Sequence, residues 1–239
     1  MTITNFGTDV LASLPDLPRW VEARSMLLAR RAFVIDTADG CRLICGLKDR
    51  LVVPTTIELS PQVEAVATRE VPGTTILLQD VMLPAGRYHL SDWKAEAATL
   101  YTLPPDRAHG WQVPLWPTAP MSLKQIDAVH KLPQPLRDRL RSAVAHTPVW
   151  SSSLDGQPVA FAYAAQTTEG WFAISVDTLE GARNRGLGRA AAMGLIVERM
   201  LRGLRPVWSA LASNEASHAL ARSLGFMPVD LQWVLTRDE

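Results

Sequence analysis

The chain has 239 residues, 47% hydrophobic and 20% charged, the composition of a folded globular protein rather than a disordered or collagen-like one. Basic and acidic residues number 24 each, so the net charge is zero and the basic excess of a general nucleic-acid binder is missing. The longest apolar stretches, such as "PVAFAYAA" at 158–165, fall short of the roughly 20 residues a membrane helix needs, and the N-terminus lacks the basic cluster and apolar run of a secretory signal. The expected location is therefore the cytoplasm, with neither a nucleic-acid nor a membrane partner.

In chain order, "DLPRWVEARSMLLARR" (16–31) places Trp20, Ala23, Met26, Leu27 and Arg30 at helical spacing. The segments "AFVIDT", "CRLICGL", "TTILLQDV" and "EAATLYTL" then read as strands separated by Gly and Pro turns. Cys41 and Cys45 lie in the second of these with no His beside them, so they read as small buried hydrophobes rather than metal ligands. Five prolines between Leu103 and Met121 can continue neither a helix nor a strand ladder, which makes this stretch a crossover. It divides the chain into a smaller mixed α/β region at 1–105 and a second domain at 106–239. Trp111 and Trp116 in the crossover are candidates to line a pocket.

Beyond it, "SLKQIDAVHKL" and "QPLRDRLRSAVAH" read as helices, the first capped by Ser122. "PVWSSS", "QPVAFAYAAQ" and "GWFAISVDT" follow as three antiparallel strands joined at Asp155-Gly156 and Glu169-Gly170. A polar loop, "LEGARNRGLG", leads into the helix "RAAAMGLIVERMLRGL". "RPVWSALAS" resumes as a strand, "EASHALARSLGF" as a helix ending at Gly225, and "MPVDLQWVLT" as the last strand. No internal repeat is visible in the sequence.

The loop carries the chemistry. Gly186 and Gly188 allow close approach to the backbone, and the start of the following helix offers unpaired N–H groups with partial positive charge. From Arg183 to Arg205 there are six arginines against one acid, Glu198, so the expected ligand is an anion. "GLGRAA" also satisfies a dinucleotide fingerprint, in which a strand runs almost directly into the first glycine. Here ten positions separate Val176 from Gly186, and the loop follows hairpins rather than opening a parallel sheet.

With Arg183, Gly186 and Gly188 in the order Arg-x-x-Gly-x-Gly, the loop resembles that of the GNAT superfamily of acyl-CoA-dependent N-acyltransferases. "GWFAISVDT" upstream and "PVWSALASNEASHALARSLGF" downstream stand where that family has its central strand and its second motif. The resemblance implies an α/β (α+β) GNAT fold: a mixed, mostly antiparallel sheet flanked by helices, preceded by a smaller mixed half that could be a degenerate copy. It implies acetyl-CoA as co-substrate, no metal, and direct transfer of an acetyl group to an amine in a ternary complex. The backbone of Arg185, Gly186, Leu187, Gly188 and Arg189 would hold the pyrophosphate, with Arg183 completing the motif. Val176 and Thr178 would align the pantetheine arm, the Thr178 N–H would polarise the thioester carbonyl, and Asn214 would contact CoA from the facing helix.

Direct transfer also needs a proton acceptor, because an alkyl ammonium titrates near 10.4. Where relatives of this kind carry a carboxylate on the central strand, this sequence has Phe172, which leaves Asp177 as the local candidate. The place of the family's thiolate-protonating tyrosine is taken by Ala221, with Ser217 and His218 nearby. Ser217 is the candidate donor. These departures leave a second reading, a non-catalytic acyl-CoA-binding or sensor protein.

Overall fold

In the computed structural model, residues 2–4, 8–38, 40–46, 48–55, 65, 69, 71, 73–79, 93–108, 111 and 114–237 are described. The chain forms two compact units. One comprises Met1–Leu100, Ser209–Glu215 and Pro228–Glu239; the other comprises Tyr101–Trp208 and Ala216–Met227.

The first unit begins with β1 (Thr2–Thr4), α1 (Thr8–Ser13) and α2 (Val21–Leu28), the last preceded by a 3-10 turn at Pro18–Trp20. β2 (Ala32–Asp36), β3 (Arg42–Gly46), β4 (Leu51–Pro54), β5 (Thr75–Gln79) and most of β6 (Lys94–Thr102) follow. Strands β1 to β4 pair in chain order as an antiparallel meander, and β4 pairs with β5 in parallel. The period-2 alternation of apolar residues decides the two faces. Ile35, Leu43, Cys45, Val52, Ile76 and Leu78 bury into one cluster, whereas Val34, Ile44, Val53 and Leu77 bury into another against Val10, Ala23, Met26 and Leu27 of α1 and α2. Cys41 joins the first cluster, and both cysteines are buried free thiols, as small hydrophobes would be. β12 (Met227–Thr236) completes this unit by pairing antiparallel with β5. Buried Gln232 stands opposite buried Gln79, and its Nε2 donates to the Gln79 Oε1 at 3.0 Å. Residues 80 and 81 of the expected strand "TTILLQDV" lie outside the described residues.

The second unit contains α3 (Pro105–Ala108), β7 (Thr118–Met121), α4 (Leu123–Ala128), α5 (Gln134–Val144), β8 (Val149–Leu154), β9 (Gln157–Thr167) and β10 (Trp171–Thr178). It continues with α6 (Leu187–Met200), β11 (Arg205–Leu211) and α7 (Glu215–Ser223), the last two shared at their ends with the first unit. Ser122 caps α4 in a capping box: its Oγ accepts from the Gln125 N–H at 3.3 Å, while the Gln125 Oε1 accepts from the Ser122 N–H at 2.8 Å. Strands β7 to β10 form an antiparallel meander, with Asp155 and Gly156 at φ 50 and 76 in the two-residue turn between β8 and β9. β10 then pairs in parallel with β11. Ile126, Leu136 and Leu140 of α4 and α5 pack with Val149, Phe161 and Tyr163. Within this unit α6 packs against β7, β8, β9 and β10.

Each unit thus runs strand, two helices, three strands, a connection and a parallel strand. This repetition of element order is not visible as a repeat of residues in the sequence, because a fold is kept by burial pattern and connectivity rather than by residue identity. Among the described residues no helix is long and apolar enough to cross a membrane.

Candidate functional site

Among the described residues β10 has one open edge. Its parallel pairing with β11 covers only Trp171–Ala173 against Arg205–Val207, an end clamped by the Arg205 guanidinium 3.8 Å above the Trp171 ring. Toward β9 the ladder continues to Thr178, after a bulge that leaves Ala165 unpaired. The Leu179 N–H donates to the Val159 carbonyl at 2.8 Å, so Leu179 and Val159 form a hydrogen-bonded pair in register with the ladder. Such pairs alternate with non-bonded ones, which turns the N–H and C=O of Val176 and Thr178 away from β9. Arg183 Nε donates to the Thr178 carbonyl at 3.3 Å. The N–H groups of Val176 and Thr178 and the Val176 carbonyl remain directed at the open edge.

The start of α6 closes over the same two residues. A Cβ on Gly188 would lie 2.9 Å from Thr178 Oγ1 and 3.3 Å from Val176 Cγ1, so a glycine here is what lets the helix end approach the strand. Asn184 and Gly186 adopt left-handed conformations, φ 59 and 78, and Gly186 is the helix N-cap without a side-chain cap. The first backbone bond of α6 runs from the Ala190 N–H to the Gly186 carbonyl at 3.0 Å, leaving the N–H groups of Leu187, Gly188 and Arg189 unused by the helix. Arg189 forms no ion pair among the described residues, while Arg185 stacks over Trp116 with Cζ 5.8 Å from the ring centre. An uncapped helix start carrying partial positive charge, beside an open strand edge, suits a ligand with an anionic group and an amide-bearing arm.

The structure therefore brings together Val176, Thr178, Arg183, Arg185, Gly186, Leu187, Gly188 and Arg189. Asp177 is separated from them by strand alternation: its carboxylate accepts from Arg139 of α5 at 3.0 Å. Beside that pair, burial first and the Asp177 charge second push the Tyr163 phenol above its ordinary value. The Ser217 Oγ accepts from the Trp208 indole at 2.9 Å, and the His218 Nδ1 lies 2.7 Å from the Tyr101 hydroxyl. Asn214 precedes α7, its N–H donating to the Leu211 carbonyl at 2.8 Å, and belongs to the first compact unit. Of the two crossover tryptophans, Trp111 donates to the Leu224 carbonyl at 3.1 Å and Trp116 to the Arg185 carbonyl at 2.7 Å. Sequence reasoning missed the partners Tyr101 and Arg139, for which no local signal exists. No group of three or more His, Cys, Asp or Glu that could hold a metal occurs among the described residues.

The family model for GNAT acetyltransferases matches residues 152–231, from the end of β8 into β12. Residues 152–231 are thus similar to a GNAT acetyltransferase domain. Among solved structures, a GCN5-related N-acetyltransferase-like protein from Streptococcus suis is similar with a TM-score of 0.67 at 15% identity, over 95% of each chain. A GCN5-related N-acetyltransferase from Kribbella flavida is similar with a TM-score of 0.64 at 17% identity, over 95% of this chain and 97% of its own. A tandem GNAT protein from the clavulanic acid biosynthesis pathway is similar over 99% of this chain and 97% of its own, with a TM-score of 0.57 at 13% identity. At these identities the likeness is one of fold: mixed α/β, a mostly antiparallel sheet, flanking helices. No curated protein matches the sequence. The two stretches that form the site, β10 and the start of α6, both fall inside the segment matched to the GNAT family.

Proposed function

We propose that the protein is an N-acetyltransferase whose second unit binds acetyl-CoA and transfers the acetyl group directly to an amine in a ternary complex. One observation carries this reading: the open β10 edge at Val176 and Thr178 adjoins the uncapped, glycine-lined start of α6. The pantetheine arm pairs along that edge as an added strand, and the diphosphate accepts from the N–H groups between Arg185 and Arg189. As the amine nitrogen attacks the acyl carbon, negative charge gathers on the carbonyl oxygen, and the Thr178 N–H is its donor. The C–S bond then breaks and the sulfur leaves as a thiolate.

The amine proton goes to a base, for which Asp177 is the proposed group; its pairing with Arg139 means that the guanidinium must share or release the carboxylate. Ser217 is the proposed donor to the thiolate. A thiol titrating near 8.5 makes that step the easier of the two, so Ser217→Ala is expected to lower kcat less than about tenfold. The same reading places the protein in the cytoplasm, where its two free thiols stay reduced.

The test is turnover. Purified protein incubated with acetyl-CoA and a panel of metabolite and peptide amines should release free thiol only when an amine acceptor is present. Binding of CoA in calorimetry without amine-dependent release across the panel would make the protein a sensor or carrier of acyl-CoA instead.

A further inference from the structure

The proline-rich connection before β7 reaches the anion loop through the Trp116 side chain. Trp116 is partly buried against Ala160, Ala182 and Leu187, and the adjoining strand fixes its place: Thr118 pairs with Ser152, and the Ser153 N–H donates to the Pro117 carbonyl at 3.4 Å. From there its indole N–H donates to the Arg185 carbonyl at 2.7 Å, across 69 positions of sequence. Ser152 clamps the next alternate carbonyl, its Oγ donating to Leu187 at 2.7 Å.

A trans peptide is planar, so its C=O and the following N–H point in opposite directions. Among the described residues every peptide is trans. Holding the Arg185 carbonyl on Trp116 therefore aims the Gly186 N–H away from Trp116, and holding the Leu187 carbonyl on Ser152 does the same for the Gly188 N–H. The first plane needs the restraint more. Gly186 sits at φ 78 with no Cβ and no side-chain cap, two positions after Asn184 at φ 59, so the peptide joining residues 185 and 186 has little else to stop it rotating. A rotated peptide would present a carbonyl oxygen, and so a repulsive group, to an anion. The indole also lies 3.8 Å from where a Gly186 Cβ would stand and under the Arg185 guanidinium, so backbone and cation of one loop residue rest on one ring.

We propose that Trp116 is the positioning residue of the anion loop: its indole N–H locks the Arg185 carbonyl so that the Gly186 N–H faces the diphosphate of acyl-CoA. This rests on the acyl-CoA reading above. Trp116→Phe keeps an aromatic face and removes the donor along with part of the bicyclic ring, and the loss is expected in diphosphate recognition, about five- to tenfold in Kd for CoA, the scale of one hydrogen bond. The KM for acetyl-CoA should rise by a similar factor with kcat unchanged. S-acetylpantetheine, which lacks the diphosphate, should be used equally well by both proteins. In an Arg185→Ala background, where the carbonyl remains but the guanidinium is gone, Trp116→Phe should lower CoA affinity by the same factor. Wild-type CoA affinity in Trp116→Phe, or equal losses with acetyl-CoA and S-acetylpantetheine, would overturn the assignment. Absence of CoA binding by the unsubstituted protein would remove the acyl-CoA reading itself, and this inference with it.

Discussion

Glu22 on α2 carries a buried carboxyl oxygen, Oε2, without a hydrogen-bond partner among the described residues, and burial pushes its pKa from 4.5 up to about 7. Between those values the folded chain holds a proton that the unfolded chain has lost, so stability is fullest below pH 4.5, falls as pH rises through 7, and is level above it. Glu22→Gln removes the titration. The variant should match the parent near pH 4 and exceed it at pH 8 by up to roughly 3 kcal/mol, read as a higher thermal midpoint. A parent whose midpoint does not fall relative to Glu22→Gln between pH 5 and pH 8 would rule this out. At the same scale, the glycine pair of the loop was legible because no other residue leaves such room, yet its reason was only half legible. Gly188 is required by the side chains of Val176 and Thr178 beneath it as much as by any ligand. The partners of His218 and Asp177 lie 117 and 38 positions away, on β6 and α5, and only the fold brings them together.

Among the elements, α6 shows how a helix is seated by what it omits. Gly194 faces Trp150 of β8, and a Cβ there would fall 2.9 Å from the ring carbons Cδ2 and Cζ3, with a third closer still. Replacing a mid-helix glycine by alanine ordinarily stabilises by about 0.4–1 kcal/mol. Overpacking a tight contact costs about 1–3 kcal/mol, so the clash wins and Gly194→Ala should lower stability by about 1–2 kcal/mol. A denaturant midpoint unchanged or raised in that variant would show that Trp150 can move aside. Long elements with clear periodicity or sharp turn chemistry, from β8 through α6 to β12, match their sequence-expected spans to within a few residues. β1, α1, β4 and β7, of three to six residues, are too short for any period to be seen. The fastening of α4 was equally hidden: Arg137 of α5 donates to the carbonyls of Ile126, Asp127 and Val129, which satisfies the end of a six-residue helix from outside it.

For the whole molecule, on the proposed acyl-CoA reading, the repeated element order raises the question of how many acyl-CoA molecules one chain would take. In the second unit the connection into the parallel strand contains Arg183, Asn184, Arg185, Gly186, Leu187 and Gly188, and a 14-residue helix that starts on left-handed Gly186. The sequence joining β4 to β5 in the first unit, "TTIELSPQVEAVATREVPGT" at 55–74, has one glycine, Gly73, and no Gly-x-Gly. It holds Glu58, Glu64 and Glu70 against the single cation Arg69, a net charge of −2 where the second unit places its arginines. Diphosphate recognition depends on backbone donors brought close by glycine and on positive charge around them, and this segment supplies neither in its composition. The fold order is shared and the anion chemistry is not. Calorimetric titration with CoA should therefore give one site per chain. Gly188→Val, which places a branched side chain against Thr178 and Val176 at the start of α6, should abolish that site and leave no second, weaker isotherm. A stoichiometry of two, or one remaining site in Gly188→Val, would assign acyl-CoA binding to the first unit as well and show that the repeat is functional there.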